Sequence, residues 1–170
     1  MGRTTSDAVL SVATLFLLIG GGCETRPQSA ADAMTQAGEA LRRGDPDGAI
    51  RCYSEVIRLK PDFALAYYSR GIAYYMKGDL DRAITDQTAA IRLKPDFDLA
   101  YYSRGNAYSD KGDFDRAIVD YTEAIRLMSE KAPVYLVYHA RGTAYAKKGE
   151  KARADEDFAR AKELGSPAQD

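Results

Sequence analysis

The sequence predicts an all-α protein in which four helix-turn-helix units stack into a solenoid. Three observations predict this fold class: the sequence repeats itself every 34 residues, apolar residues within each unit follow a helical period, and a glycine followed by an acidic residue divides each unit. A single unit of this size cannot bury its apolar faces alone. Stacking against neighbouring units must therefore complete the core.

The repetition is clearest between the second and third units. Residues 60–63 return at 94–97, and residues 67–71 return at 101–105. The glycine–acid pair occurs once in every unit: Gly44-Asp45, Gly78-Asp79, Gly112-Asp113 and Gly149-Glu150. This spacing predicts repeats over about residues 30–63, 64–97, 98–131 and 135–168, with a three-residue insertion before the last.

Each unit contains two helical patterns separated by the glycine. In the second unit Tyr67, Gly71 and Tyr74 share one face of a first helix. Apolar residues at 83, 84, 90 and 91 mark the buried face of a second helix. Gly78 is expected to end the first helix, because glycine readily adopts the left-handed conformation found there, and Asp79 is expected near the start of the next helix.

These patterns resemble the tetratricopeptide repeat (TPR). The large–small–large positions of the family's first helix appear here as Tyr67-Gly71-Tyr74, Tyr101-Gly105-Tyr108 and Tyr138-Gly142-Tyr145. The second-helix positions appear as Ala83-Gln87-Ala90, Ala117-Tyr121-Ala124 and Ala154-Phe158-Ala161, with Gln87 departing from the usual aromatic residue. The resemblance implies a right-handed superhelical solenoid of about four TPR helix-turn-helix repeats. It also implies that the six tyrosines pack in the core or between units.

Arginine and aspartate occur together in three units and are both missing from the first. The pairs, each separated by 16 residues, are Arg70 with Asp86, Arg104 with Asp120, and Arg141 with Asp157. A guanidinium can donate two charge-assisted hydrogen bonds to one carboxylate. We therefore expect each pair to join the two helices of its unit. The alternative is that these arginines bind the carboxylate of a ligand.

The first 30 residues differ in composition from the rest. Arg3 precedes a short apolar run from Ala8 to Ile19, and small residues lead to Cys23. The segment resembles a bacterial lipoprotein signal, which implies a signal peptide over 1–22, lipidation of Cys23, a lipid-anchored tether over 23–29 and the TPR domain over 30–170. The expected location is the bacterial cell envelope, on a membrane facing the periplasm. A secreted or soluble periplasmic protein and an uncleaved anchor remain the alternatives.

Composition excludes several classes of function. The 24 basic and 25 acidic residues leave a net charge of −1, whereas nucleic-acid binding requires a basic excess. Two cysteines and one histidine cannot supply a cluster of metal ligands, and the sequence contains neither a catalytic triad nor a glycine-rich phosphate loop. We therefore expect no enzymatic activity, no cofactor and no bound metal.

The predicted function is a protein–protein interaction scaffold or adaptor at a bacterial envelope membrane. Solenoids of this type bind partners on the concave face, which first-helix residues line. The predicted partner-binding residues form a tyrosine-rich groove for a peptide segment: Tyr68, Ile72, Tyr75, Tyr102, Asn106 and His139. Met34, Gly38, Tyr68 and Ile72 stand where some family members hold Lys and Asn that clamp acidic chaperone tails, so that ligand is not expected. The alternative function is a self-associating structural component without a peptide ligand.

Overall fold

Eight α-helices account for the regular structure of the residues that the computed structural model describes, which are 27, 29–129 and 132–165. The helices are α1 (Ala30–Arg42), α2 (Pro46–Leu59), α3 (Ala64–Met76), α4 (Leu80–Leu93), α5 (Asp98–Asp110), α6 (Phe114–Leu127), α7 (Val134–Lys147) and α8 (Lys151–Gly165). The predicted all-α solenoid is confirmed. The predicted signal peptide and Cys23 lie outside the described residues.

A glycine followed by an acidic residue forms the turn inside each unit, as predicted. The glycines at 44, 78, 112 and 149 have φ between 72° and 82°, the left-handed region that residues with a Cβ rarely adopt. The side chains of Asp45, Asp79 and Asp113 then accept a hydrogen bond from the backbone N–H three residues later and cap the second helix. Hydrogen bonds from Arg82 and Arg116 lower the pKa of Asp79 and Asp113, which favours the ionised cap.

The helices stack in chain order. Each helix packs against its partner within the unit and against the next helix along the chain. First helices also contact one another across units, since α3 contacts α5 and α5 contacts α7. The first helices therefore line the inner side of the solenoid, and the second helices form its outer side.

Alanine residues form most of the core between these helices. In the second and third units eight alanines on both helices are almost completely buried: Ala66, Ala73, Ala83, Ala90, Ala100, Ala107, Ala117 and Ala124. Such small side chains allow the helix backbones to approach closely. One larger side chain from the second helix, such as Tyr53 or Tyr121, fills the remaining space inside a unit.

The tyrosines of the TPR pattern lie at the margin of the core rather than inside it. Their rings are half-buried and lie beside guanidinium groups. The carbon at the centre of the Arg82 guanidinium is 4.7 Å from the ring centroid of Tyr74, and that of Arg116 is 4.5 Å from Tyr108. Tyr67, Tyr101 and Tyr108 pack against the buried clusters, in agreement with the prediction that these tyrosines pack in the core or between units, while the fully buried positions beside them belong to alanines.

The predicted arginine–aspartate pairs are present in all three units. In the third unit Nε and Nη2 of Arg104 each donate a 2.8 Å hydrogen bond to the buried carboxylate of Asp120. A third donor, Nη1, reaches the hydroxyl of Thr88 in the preceding unit at 3.0 Å. Arg70 and Arg141 make the equivalent contacts. The edge of each guanidinium that could bind a ligand carboxylate is therefore occupied by an aspartate of the same unit.

A second series of ion pairs links the turns of successive units. Lys77 pairs with Asp47, Lys111 with Asp81, and Lys148 with Asp115. Each lysine follows a first helix and reaches the first turn of the second helix in the preceding unit. The aspartates are largely exposed, so each of these pairs contributes little to the stability of the fold.

Candidate functional site

A small cavity opens on the inner side of the solenoid between the second and third units. It has a volume of about 70 Å³. Its lining comes from three helices: Gly71, Ile72 and Tyr75 of α3, Ala83 and Gln87 of α4, and Ser103 and Asn106 of α5. The walls combine apolar surface with hydroxyl and carboxamide groups. This is the combination expected where a side chain of a bound peptide is received.

The Tyr75 hydroxyl connects the two sides of this cavity. It donates a hydrogen bond of 2.5 Å to Oδ2 of Asp110, at the end of α5. Hydrogen bonding to this carboxylate, together with burial of the phenol, raises the pKa of Tyr75 to about 12. Tyr75 is therefore neutral at physiological pH, and its ring is held in place against the third unit.

Hydrogen bonds also hold the carboxamide groups of Asn106 and Gln87, which line the cavity, in position. Tyr121 donates its hydroxyl hydrogen to Oδ1 of Asn106 at 2.8 Å, and Nε2 of Gln87 donates to the backbone oxygen of Tyr68 at 3.2 Å. Both carboxamides are thereby oriented by neighbouring elements. The site is preformed in the absence of any ligand.

Three family models match successive parts of the chain, and all three describe the tetratricopeptide repeat. They cover residues 34–98, 99–130 and 135–164. The chain is a tetratricopeptide-repeat protein. Repeats of this kind form scaffolds that mediate protein–protein interaction. A search of curated proteins found no match.

Solved structures resemble this TPR protein over most of its length. A structure of MamA shares 29% sequence identity and a TM-score of 0.76, covering 81% of this chain and 79% of MamA. A MamA RS-1 double mutant shares 21% identity and a TM-score of 0.74, covering 82% and 76% respectively. The second TPR of Spaghetti (RPAP3), bound to the HSP90 peptide SRMEEVD, shares 27% identity and a TM-score of 0.58, covering 59% of this chain and 94% of that one.

Three of the predicted partner-binding residues of the TPR protein meet at the cavity, namely Ile72, Tyr75 and Asn106. Tyr68 and Tyr102 lie beside it and pack between elements. The ring centroid of Tyr68 is 4.9 Å from that of Phe97, and that of Tyr102 is 6.0 Å from Tyr121. These ring contacts join α3 to the residue before α5, and α5 to α6.

His139 lies apart from this cavity, in the last unit of the TPR protein. It borders a second and larger open cavity of about 580 Å³ between α7 and the end of α8. Its ring centroid is 5.3 Å from that of Phe158, and Tyr135 and Leu136 complete the apolar part of the lining. The predicted groove residues therefore divide between two places on the solenoid.

Sequence reasoning did not include Gln87, Ser103 and Asp110 in the site. Gln87 was visible as a departure from the aromatic pattern of the second helices, but only first-helix residues were assigned to the groove. Ser103 repeats Ser69 of the preceding unit, and Asp110 ends a helix, so neither carried a distinct signal. Gln87 and Ser103 reach the cavity through the packing of α3, α4 and α5, and Asp110 meets it through its hydrogen bond with Tyr75.

The described part of the chain contains no group of three or more His, Cys, Asp or Glu side chains arranged to hold a metal ion. Among the same residues, no helix has both the length and the apolar composition that crossing a membrane requires.

Proposed function

We propose that this protein is a non-enzymatic adaptor that binds a peptide segment of a partner protein in the concave groove between its second and third units. The observation that carries the proposal is the preformed cavity between α3, α4 and α5, where apolar walls surround oriented carboxamides. Aromatic and amide groups of this kind supply contact area together with hydrogen bonds to a peptide backbone.

The acidic chaperone tail is not the ligand that this groove favours. The related RPAP3 repeat is bound to an HSP90 peptide that ends in acidic residues. In this chain Met34, Gly38, Tyr68 and Ile72 occupy the positions where cationic and amide clamp residues are expected in such repeats. Asp110 beside the cavity would also repel a carboxylate. We propose instead a segment that is apolar and uncharged where it enters the groove.

Photo-crosslinking from the end of α3, one of the helices that line the cavity, tests the proposal. A benzoylphenylalanine placed at Met76, which is 53% exposed at the end of α3, is expected to form an adduct with a partner in producing cells. Introducing Ile72→Glu into the same chain is expected to reduce adduct formation about tenfold, because the charge would be buried against apolar surface. The measurement is the adduct yield on a gel, with the partner segment identified by mass spectrometry.

Val119→Glu is the matched control for this experiment. Val119 is 67% exposed on α6, on the outer side of the solenoid, and it presents a β-branched side chain like Ile72. This variant should leave the adduct unchanged, and circular dichroism should show that both variants are folded. Equal loss of the adduct in both variants would overturn the proposal that the partner binds in the groove. A synthetic peptide of the crosslinked segment should then bind with an affinity that changes little with salt, since the contacts are largely uncharged.

We further propose that the adaptor is attached to a bacterial envelope membrane through acyl chains on Cys23. The support is the sequence pattern of the N-terminal segment, in which a short apolar run and small residues precede the cysteine. Lipid chains would hold the solenoid at a membrane surface, and two or more chains give stable attachment.

Lipidation predicts that the protein partitions with membranes and that Cys23→Ser releases it into the soluble fraction. Mass spectrometry of the mature N-terminus should show Cys23 as the first residue, carrying a diacylglyceryl group. Recovery of Cys23 as a free thiol, or as a disulfide with Cys52, would contradict this proposal. That result would leave the proposal of peptide binding in the groove unaffected.

Self-association is the second candidate function, and one surface favours it. At the last unit Tyr135, Leu136 and Leu164 remain at least 38% exposed around the larger cavity. An uncovered apolar surface at the end of a solenoid can stack against another copy. Sedimentation at increasing concentration would show association that Leu136→Glu abolishes. A monomer at all concentrations would exclude this function.

A further inference from the structure

One position of the repeat differs in the second unit, and the cavity lies beside it. The second helices of the other units carry an aromatic residue at this position, namely Tyr53, Tyr121 and Phe158, whereas α4 carries Gln87. In the third and fourth units the aromatic ring covers a glycine of the first helix. A Cβ added at Gly105 would lie 2.7 Å from Tyr121, and one added at Gly142 would lie 2.9 Å from Phe158.

Gln87 occupies the same place over Gly71 but is shorter than an aromatic residue. A Cβ added at Gly71 would lie 2.7 Å from Nε2 of Gln87. The carboxamide therefore reaches the glycine but leaves unfilled the space that a phenol occupies in the third unit. The cavity lined by Ile72, Tyr75, Ser103 and Asn106 lies beside this position.

Gln87 also carries a buried acceptor without a partner. Its side chain is 1% exposed, and Nε2 donates to the backbone oxygen of Tyr68. Oε1 accepts no hydrogen bond from any atom in the described part of the chain. Buried polar atoms are nearly always satisfied in folded proteins, so an unsatisfied oxygen beside a cavity indicates a donor that binds there.

Asn106 supplies the complementary group on the opposite wall. Its Oδ1 accepts a hydrogen bond from the Tyr121 hydroxyl, which directs the oxygen of the amide toward the third unit and leaves the Nδ2 hydrogens to donate elsewhere. The side chains of Gln87 and Asn106 thus both line the cavity, together with Ile72 and Tyr75, and each has a hydrogen-bonding group that the described residues leave available. None of the lining side chains is ionised at neutral pH.

We propose that this cavity is a specificity pocket for the side-chain carboxamide of an Asn or Gln in the bound peptide. The ligand N–H donates to Oε1 of Gln87, and the ligand carbonyl oxygen accepts from Nδ2 of Asn106. A carboxylate has no hydrogen to donate to Gln87 at neutral pH and is repelled by nearby Asp110. An ammonium group has no atom that can accept the hydrogen bond from Nδ2 of Asn106. The inference rests on the proposed peptide-binding function and deepens it.

Small probes test the pocket without knowledge of the partner. In NMR titrations of the full chain, acetamide is expected to shift the side-chain amide resonances of Gln87 and Asn106 saturably. Acetate and ethylammonium, which have similar size, should bind at least about fivefold more weakly, because each leaves one hydrogen bond unmade. Equal shifts from all three probes would mean that the cavity does not select a carboxamide, and shifts without saturation would mean that it binds none of the probes. Either result would overturn the proposal.

Two variants test separately whether binding needs the Oε1 acceptor of Gln87 and whether it needs the empty volume of the cavity. Gln87→Tyr restores the aromatic residue of the neighbouring units over Gly71, so it should fold normally, fill the cavity and abolish acetamide binding. Gln87→Met keeps a side chain of similar length and removes the carboxamide, so it should remove the preference for acetamide. Retention of that preference in Gln87→Met would overturn the role of Oε1. Thermal unfolding should show that both variants are folded.

The same variants distinguish failure of this inference from failure of the proposed function. If the Met76 crosslink persists and Gln87→Tyr leaves the affinity of the crosslinked peptide unchanged, the carboxamide pocket is excluded and the groove stands. If acetamide binds selectively but no peptide is crosslinked, the cavity binds a carboxamide, and both its role in peptide recognition and the proposed peptide-binding function are overturned. Loss of the crosslink in Gln87→Tyr, with the fold intact, supports both the carboxamide pocket and the peptide-binding function.

Discussion

Asp120→Ala is expected to lower the free energy of unfolding by about 3 kcal/mol. This is the lower end of the range measured when one partner of a buried ion pair is removed. The side chains of Arg104 and Asp120 are 17% and 4% exposed. Without the carboxylate, the guanidinium stays between two helices with its Nε and Nη2 donors unmatched, and only the bond to Thr88 remains. Urea denaturation followed by circular dichroism measures the loss.

The exposed pair between Lys148 and Asp115 provides the matched control. Asp115 is 82% exposed, so Asp115→Ala removes an ion pair of the same type in a solvated setting and should change stability far less. A double variant, Arg104→Met with Asp120→Leu, should recover most of the stability, because neither charge is then left buried alone. Equal effects of Asp120→Ala and Asp115→Ala would refute the buried-pair interpretation.

Gly105→Ala is expected to destabilise the protein by about 2 kcal/mol through steric overlap. The added Cβ would lie 2.7 Å and 2.8 Å from two ring carbons of Tyr121. That ring is 2% exposed, and its hydroxyl is held by Asn106, so it cannot move aside without losing packing and a hydrogen bond. The melting temperature and urea midpoint should both fall.

Two other helical glycines make this prediction specific. Gly38 has no atom within 4 Å of an added Cβ, so Gly38→Ala should stabilise α1 by up to about 1 kcal/mol through helix propensity. Gly71 faces the end of the flexible Gln87 side chain, so Gly71→Ala should have an intermediate effect. A Gly105→Ala variant as stable as Gly38→Ala would show that the helix crossing tolerates a methyl group.

Local chemistry made the fold predictable from the sequence. A positive φ requires glycine, and a helix N-terminus favours aspartate, so Gly78 and Asp79 mark a turn wherever they occur between two apolar helical patterns. The arginine–aspartate pairs were predictable for a different reason. Three units contain both residues and one contains neither, which indicates direct contact between them.

The site was predictable only in part, because it depends on distances between units. Ile72, Tyr75 and Asn106 were assigned to the groove from their position on first helices, and they meet at one cavity. Tyr68 has the same helical position as Tyr102, yet its ring packs on Phe97 while that of Tyr102 packs near Tyr121. Their local sequences, Tyr-Tyr-Ser-Arg-Gly in both units, are identical and could not distinguish them.

The sequence by itself determined that this protein is a TPR solenoid, where the turn between the two helices of each unit lies, and which charges pair inside a unit. Each of these properties depends on residues within one 34-residue period. The tertiary structure alone decided that the first-helix tyrosines lie at the margin of an alanine-rich core, and that the cavity lies beside Gln87, which carries a buried acceptor. The physical reason is that burial and empty space are set by how closely three helices approach, and α3, α4 and α5 belong to two different units.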